Sequence, residues 1–256
     1  MYRNILESHA HYDEKCYAPN LVQVLEEQRQ KGVCCIINSG SDVASSHRSV
    51  ELARRFDMVF AAVGVFPLAV EHLPANWLEE IRALSLEEKV VAIGEIGLDY
   101  HAGTQLRQQQ IAVFEAQLEL AKERNLPIQI HDRDADADTI ALVEKHRPRG
   151  MVHRFASSPQ AGQAFLELGM HLGIGPNITY PEFAHVLEIV RAMPLERLVL
   201  ETDSPFLPPA RLAGQISTSD MIGEVAETIA KVRGDCTPQE VLDLACANAK
   251  RLFAIP

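Results

Sequence analysis

The sequence predicts an α/β protein folded as a single (β/α)8 barrel with a C-terminal helix. Eight short apolar segments alternate with longer segments of helical periodicity, which is the pattern of repeated strand–helix units. The 256 residues contain no polar linker or break in composition, so we expect one domain that spans residues 1–256. An open doubly wound sheet is the alternative, but neither GxGxxG nor GxxxxGKS follows the first strand.

Each predicted strand is a short run rich in Val, Ile, Leu and Ala, which is typical of parallel strands buried on both faces. The predicted strands are Ile5–His9, Val33–Asn38, Met58–Val65, Val90–Gly94, Pro127–His131, Met151–His153, His171–Gly175 and Leu198–Glu201.

Helical periodicity separates these strands and continues after the last one. It is clear in Gln105–Arg124, where Thr104 should cap the start and Asn125 should close the end. The segment Pro205–Ser219 has no periodicity and should form a long loop on the active-site face. Each strand should be followed by a helix, and the helical patterns include Leu21–Lys31, Ser41–Phe56, Pro74–Leu86, Gln105–Arg124, Pro159–Leu168, Pro181–Met193, Thr218–Arg233 and Pro238–Phe253.

Composition indicates a cytoplasmic protein. The 5 cysteines are odd in number and form no CxxC pair, so we expect reduced thiols. The N-terminus becomes polar within a few residues, unlike a signal peptide, and no apolar run approaches the ~20 residues that a membrane helix needs. The net charge of −11 disfavours a broad duplex-binding or membrane-binding surface but is compatible with a small anion site.

A carboxylate ends the fourth predicted strand. Glu95 follows the apolar run Val90–Gly94, and Gly94 and Gly97 flank it and allow tight turns. An ionised carboxylate that is buried without a partner is very costly, so Glu95 requires nearby cations or water.

Histidines and a second carboxylate stand at the ends of other predicted strands. His9 and His11 are two residues apart and should point to the same face, as paired metal ligands do. His131 and His153 end the fifth and sixth strands, and Asp203 follows the eighth. The C-terminal ends of barrel strands carry the chemistry of barrel enzymes, so these side chains should meet around Glu95.

This ligand set predicts two divalent metal ions. Six nitrogen and oxygen ligands without cysteine suit Zn, Mn, Fe or Mg, and the imidazoles favour the transition metals. Glu95 is placed to bridge two ions ~3.5–4 Å apart. The chain lacks a GxSxG elbow and a credible Cys–His pair, so metal-activated water is the expected nucleophile. Asp203 could both ligate a metal and act as the general base.

The motifs resemble those of the TatD family of metal-dependent hydrolases. The similarity runs from residue 5 to the end of the chain, and its motifs are specific in combination. They are ESHAHYD (7–13), GEIGLDY (94–100), IHDR (130–133), VHRF (152–155), ETDSPFL (201–207) and NAKRLF (248–253). The resemblance implies a (β/α)8 barrel and hydrolysis, with DNase activity in characterised members. It also implies one metal on His9, His11, Glu95 and Asp203, and a second on Glu95, His131 and His153.

Two positions depart from the family pattern. Where the family usually has a histidine after the third strand, in GxHP, this chain has Phe66. The family's Arg-Asn-Glu-Pro segment after the eighth strand is absent from residues 214–220. Both changes fall at substrate-binding positions and leave the expected metal ligands intact.

The favoured function is a TatD-like DNase that acts on single-stranded DNA or DNA ends as a 3′–5′ exonuclease. Arg133 is the first candidate for a phosphate contact and Arg154 the second. The alternative is an esterase, amidase, lactonase or deacylase that acts on a small or tRNA-linked acyl group, which Phe66 and the acidic charge favour. An inactive scaffold is disfavoured because all six ligands are present. No obligate protein partner is evident, so we expect a monomer or a weak oligomer.

Overall fold

The computed structural model describes all 256 residues and contains eight parallel strands. Each strand pairs with the next along the chain, in the order β1 to β8. The strands are β1 (Ile5–Ala10), β2 (Val33–Ser39), β3 (Val59–Val63), β4 (Val90–Asp99), β5 (Ile128–Arg133), β6 (Gly150–Val152), β7 (His171–Ile174) and β8 (Leu198–Leu200).

The segment after β8 closes the sheet against β1. Ala10 and Ser204 form an isolated parallel bridge. The amide of His11 donates to the carbonyl of Ser204 over 2.7 Å, and the amide of Asp203 donates to the carbonyl of His9 over 3.1 Å. The predicted barrel is therefore confirmed, and its closure brings Asp203 beside the two histidines of β1.

Nine α-helices surround the strands. None of them is both long enough and apolar enough to cross a membrane. The helices are α1 (Leu21–Gln30), α2 (Val43–Arg55), α3 (Trp77–Leu84), α4 (Arg107–Arg124), α5 (Asp136–His146), α6 (Pro159–Glu167), α7 (Val186–Ala192), α8 (Ile222–Arg233) and α9 (Pro238–Phe253).

Several predicted boundaries were wrong. The fourth strand continues past Gly94 to Asp99, because the side chains beyond the predicted end are buried at the barrel mouth rather than solvated. Helix α5 follows the fifth strand, as the barrel pattern requires, but no range was predicted for it. Thr104 does not cap α4, whose N-cap is Leu106 without a side-chain hydrogen bond. Asn125 does end α4, in the left-handed conformation with φ 52°.

The end of the barrel opposite the C-terminal strand ends is closed by α9. A cluster of 13 buried residues joins side chains of six strands to this helix and to Ile255. We call this cluster the barrel floor. Its members are Leu6, Cys35, Ile37, Ala62, Val91, Ala92, Met151, Val199, Cys246, Ala249, Leu252, Phe253 and Ile255. The floor is apolar, so it stabilises the barrel and leaves the opposite mouth for chemistry.

Candidate metal centre

The six predicted ligands converge at the mouth of the barrel, on the C-terminal side of the strands. Their side chains are buried or, for His131, nearly so. Burial of this many ionisable groups without ion pairs or a bound cation would be strongly unfavourable. The ligand candidates are His9, His11, Glu95, His131, His153 and Asp203.

Glu95 lies at the centre, and each of its carboxylate oxygens faces a pair of histidines. Oε1 lies 3.0 Å from His131 Nδ1 and 2.9 Å from His153 Nε2. Oε2 lies 3.6 Å from His9 Nε2 and 3.7 Å from His11 Nε2. A carboxylate with one oxygen directed to each half of the site could contribute a ligand to each of two ions.

Asp203 completes the half of the site that contains the β1 histidines. Its Oδ1 lies 3.4 Å from His11 Nε2 and 3.9 Å from His9 Nε2. The ligand atoms of His9, His11 and Asp203 lie within 4.8 Å of one another, as do those of His9, Glu95 and His153. The second group joins His9 to His153, whose rings stack with centroids 3.9 Å apart. The two halves of the site are therefore in direct contact.

The pKa values of the carboxylates are low in spite of burial. Burial alone would raise the pKa of Glu95, but the charge of His153 and hydrogen bonds from three histidines hold it well below its usual range. Burial also opposes ionisation of Asp203, but His11 and its neighbours lower the pKa of Asp203 to about 2. Both groups are thus carboxylates at neutral pH, the form that binds cations.

The histidines divide into one whose pKa is lowered and three whose pKa values are raised. Burial, followed by the charge of His153, lowers the pKa of His9. Burial would lower the pKa of the others, but nearby carboxylates raise that of His11 to about 9 and that of His153 to about 10, and they also raise that of His131. The carboxylates thus favour positive charge at this site, and a divalent cation would supply that charge.

The ring nitrogens on the far side of the centre are held by hydrogen-bond acceptors. His11 Nδ1 lies 2.8 Å from the carbonyl of Ser39, and His131 Nε2 lies 2.9 Å from Asp99 Oδ2. A carbonyl only accepts, so His11 Nδ1 carries its hydrogen. A neutral His11 ring would therefore direct the Nε2 lone pair at the centre, and His131 Nδ1 would do so in the same way. This is the usual support for metal-binding histidines, and the residues present fit a divalent metal pair.

Three supporting residues were not predicted from the sequence. Asp99 is 3% exposed and orients His131. Ser39 contacts both β1 histidines, its hydroxyl lying 3.2 Å from His9 Nδ1. Glu201 is fully buried, with Oε1 3.5 Å from His153 Nδ1 and Oε2 without a hydrogen-bond partner. Asp99 and Glu201 had a sequence signal. Asp99 follows Glu95 by four residues along the strand, and Glu201 is a carboxylate at the end of the eighth predicted strand.

The predicted substrate residues lie around this centre. Arg133 is exposed and lines a cleft of about 460 Å³ with His131 and His153. Arg154 lines the same cleft, and its Nη1 donates to Asp203 Oδ2 over 3.0 Å. Phe66 packs edge-on against His131, with ring centroids 4.7 Å apart. All three lie at the mouth, and their contact with substrate stays a prediction.

Histidines and carboxylates gathered at the C-terminal mouth of a barrel define a metal-dependent barrel enzyme, and metal-activated water makes hydrolysis a suitable reaction. Residues 7–254 match the family described as TatD related DNase. The chain is 34% identical over 254 residues to the uncharacterized metal-dependent hydrolase YabD of Bacillus subtilis, covering 98% of this chain and 99% of that protein. It is 31% identical over 243 residues to a protein of Rahnella sp. named 3′-5′ ssDNA/RNA exonuclease TatD, covering 91% and 92%.

A solved structure of a TatD homologue has the same fold as this chain. The TatD homologue YjjV from Escherichia coli matches with a TM-score of 0.94 and 28% identity, over 100% of both chains. The chain therefore belongs to the TatD family, and the resemblance found in its motifs is confirmed.

Proposed function

We propose that residues 1–256 act as one hydrolase domain that cleaves phosphodiester bonds in single-stranded DNA or at DNA ends, in the manner of a 3′–5′ exonuclease. The observation that carries this proposal is the geometry of Glu95, whose two oxygens each face a pair of histidines at 2.9–3.7 Å. Two-metal sites are a common solution for phosphodiester hydrolysis. The relative named as a single-strand exonuclease supports this substrate class.

The residues present would hold two divalent ions. His9, His11, Glu95 and Asp203 would hold one, and Glu95, His131 and His153 would hold the other. Bound divalent ions supply an acidified water and neutralise charge on the phosphate. The nitrogen-rich donor set favours Zn, Mn or Fe over Mg.

The chain's own side chains complete the reaction site. Asp203 directs Oδ1 to the histidines and Oδ2 to Arg154, so its carboxylate can accept a proton at the edge of the ligand cluster. The guanidinium of Arg154 has further N–H groups that can donate to a phosphate oxygen. Exposed Arg133 provides a second guanidinium on the same cleft. Both arginines therefore orient the phosphate beside Asp203.

One group of observations favours the alternative, a hydrolase for a small or tRNA-linked acyl ester, amide or lactone. Phe66 presents an apolar wall against His131, where a polar group could contact a phosphate. Asp134 and Asp136 line the cleft together with the arginines, and their negative charges would repel a polyanion. The metal ligands serve either reaction, so substrate choice depends on the cleft walls.

The test compares both substrate classes on one preparation. Metal-loaded protein is assayed on single-stranded DNA labelled at the 5′ end or the 3′ end, and on simple ester and lactone substrates. The proposal predicts release of mononucleotides from the 3′ end, abolished by chelation and restored by metal. Asp235→Asn is the control, because Asp235 is exposed, pairs with Arg233 after α8 and does not line the cleft. Ester or lactone turnover without DNA cleavage would establish the alternative.

The cellular location and the oligomeric state are also part of the proposal. All five cysteines are free, which supports a cytoplasmic location. The site is complete within one chain, so we infer a monomer or a weak oligomer without an obligate protein partner.

A further inference from the structure

The loop after β8 presents an exposed aromatic ring beside the metal centre. Phe206 is 57% exposed, and its ring centroid lies 5.6 Å from that of His11, with the ring planes inclined by 57°. Of the seven exposed large apolar side chains in the chain, Phe206 is the only aromatic one. Because it lies next to His11, the exposed ring of Phe206 is at the mouth of the barrel.

The loop that carries this ring is anchored. The amide of Phe206 donates to the carbonyl of Asp203 over 3.0 Å, and the amide of Ser217 donates to the carbonyl of Pro205 over 3.2 Å. The hydroxyl of Tyr180 donates to the carbonyl of Pro208 over 2.9 Å. An apolar ring that is fixed in water forgoes the stabilisation that burial would provide. An exposed aromatic ring on an anchored loop beside a reaction centre is suited to contact a ligand.

We propose that Phe206 stacks against the base of a nucleotide at the 3′ end of a single-stranded DNA substrate, and this proposal rests on the nuclease function proposed above. Every base has a flat π-face, so an aromatic platform binds single strands without sequence preference. Asp203 is the shared neighbour of the platform and of the phosphate-binding arginine. Its carbonyl accepts from Phe206, and its carboxylate accepts from Arg154. The base and the phosphate of the substrate would therefore be held on two sides of Asp203.

Charge and packing favour a base as the occupant. The net charge of −11 provides no broad basic surface, so affinity for a single strand needs a contribution other than phosphate contacts. Phe66 is less suited to this role, because it is less exposed and packs edge-on against His131. Phe206 thus offers the most accessible aromatic face at the mouth.

The test measures kcat and KM of the full-length, metal-loaded enzyme on two oligonucleotides. One is an ordinary single strand, and the other lacks the bases of its two 3′-terminal nucleotides. Phe206→Leu should raise KM about 5- to 150-fold on the ordinary strand, the usual worth of one base–aromatic stack, with a much smaller change in kcat. Phe206→Trp should keep the wild-type KM. On the strand without terminal bases, wild type and Phe206→Leu should be alike.

Val22→Ala is the matched control, because Val22 is 56% exposed on α1 and should not affect either substrate. An equal loss on both strands, or an unchanged KM for Phe206→Leu on the ordinary strand, would overturn the stacking proposal while the nuclease function stands. Wild-type protein that cleaves neither strand would overturn the nuclease function and the stacking proposal together.

Discussion

The mouth and the floor of the barrel are built on the same strands with opposite chemistry. Strand β4 shows the change within ten residues: Val91 and Ala92 belong to the floor, whereas Glu95 and Asp99 are buried at the mouth. The floor gains free energy of folding from buried apolar area. The mouth buries charge, which costs free energy unless partners or ions offset it.

The floor therefore contributes mainly to stability, and the mouth contributes mainly to function. The carboxylates of the mouth are held by histidines, whereas the side chains of the floor pack against α9. Substitutions at the mouth should therefore reduce turnover with little loss of stability, and substitutions at the floor should do the reverse.

The largest expected effect is at Asp203. Asp203→Asn should lower kcat by about 10²- to 10⁴-fold, because an amide can ligate weakly but cannot accept a proton. The measurement is kcat per metal-loaded molecule, and bound metal and the unfolding midpoint are recorded alongside to show that the variant is folded. His171→Ala is the control, since His171 lies at the start of β7 and should leave the chemistry of the folded enzyme unchanged. A change in kcat below about threefold, far short of the general-base range, would exclude Asp203 as the base if metal content is unchanged.

The floor is tested by Phe253→Ala. Phe253 is 2% exposed within the apolar cluster, so the substitution should reduce the free energy of unfolding by about 3–5 kcal/mol. Denaturant unfolding measures this loss, and kcat per folded molecule should be retained. Phe206→Ala makes the same chemical change at an exposed site of the mouth, where the expected loss is at most about 0.5 kcal/mol. Similar losses at the two sites would contradict the division between mouth and floor.

A smaller effect is expected from the carboxylate that orients His131. Asp99→Asn should weaken metal binding or activity by about 10- to 100-fold, because the amide holds the imidazolium or its N–H less strongly. Titration of activity with added metal measures this, and excess metal should restore part of the loss. Asp235→Asn, at an exposed carboxylate that pairs with Arg233 outside the cleft, should behave as wild type. Identical metal titrations for both variants would show that Asp99 does not support metal binding through His131.

The smallest effect concerns Phe66. Phe66→His should raise DNA cleavage by about tenfold or more, on the scale of one acid–base group, because histidine can donate to a phosphoryl oxygen or carry a proton. If the substrate is instead a small ester with an apolar part, the same change should weaken it by roughly 1–3 kcal/mol. The measurement is kcat/KM for both substrate classes under one metal condition. Unchanged or slower DNA cleavage would refute the argument from the absent histidine.

The predicted parts of the fold were those with local signals. Helix α9 has the predicted bounds, because Thr237 and Glu240 form a capping box around Pro238. The end of β4 was wrong because Glu95 and Asp99 are charged, and only the closed mouth makes them interior residues. Helix α5 begins with alternating aspartates, which carry little hydrophobic periodicity.

The candidate ligands could be predicted because they stand at the ends of predicted strands. In a barrel, the C-terminal strand ends meet at one face. The residues that support these ligands were not predicted, because partners such as Ser39 and Glu201 come from other strands at positions set by register. Arg154 illustrates the same limit: its backbone amide donates to Glu201 and its guanidinium to Asp203, contacts that no local pattern encodes.

The most direct test of the central claim is metal content set against activity. Protein purified without chelators is analysed for bound elements and assayed before and after EDTA, alongside Glu95→Gln. The account predicts two divalent ions per chain in wild type, fewer in Glu95→Gln, and activity that is lost with EDTA and regained with metal. Full activity in a sample verified to be free of metal would contradict it.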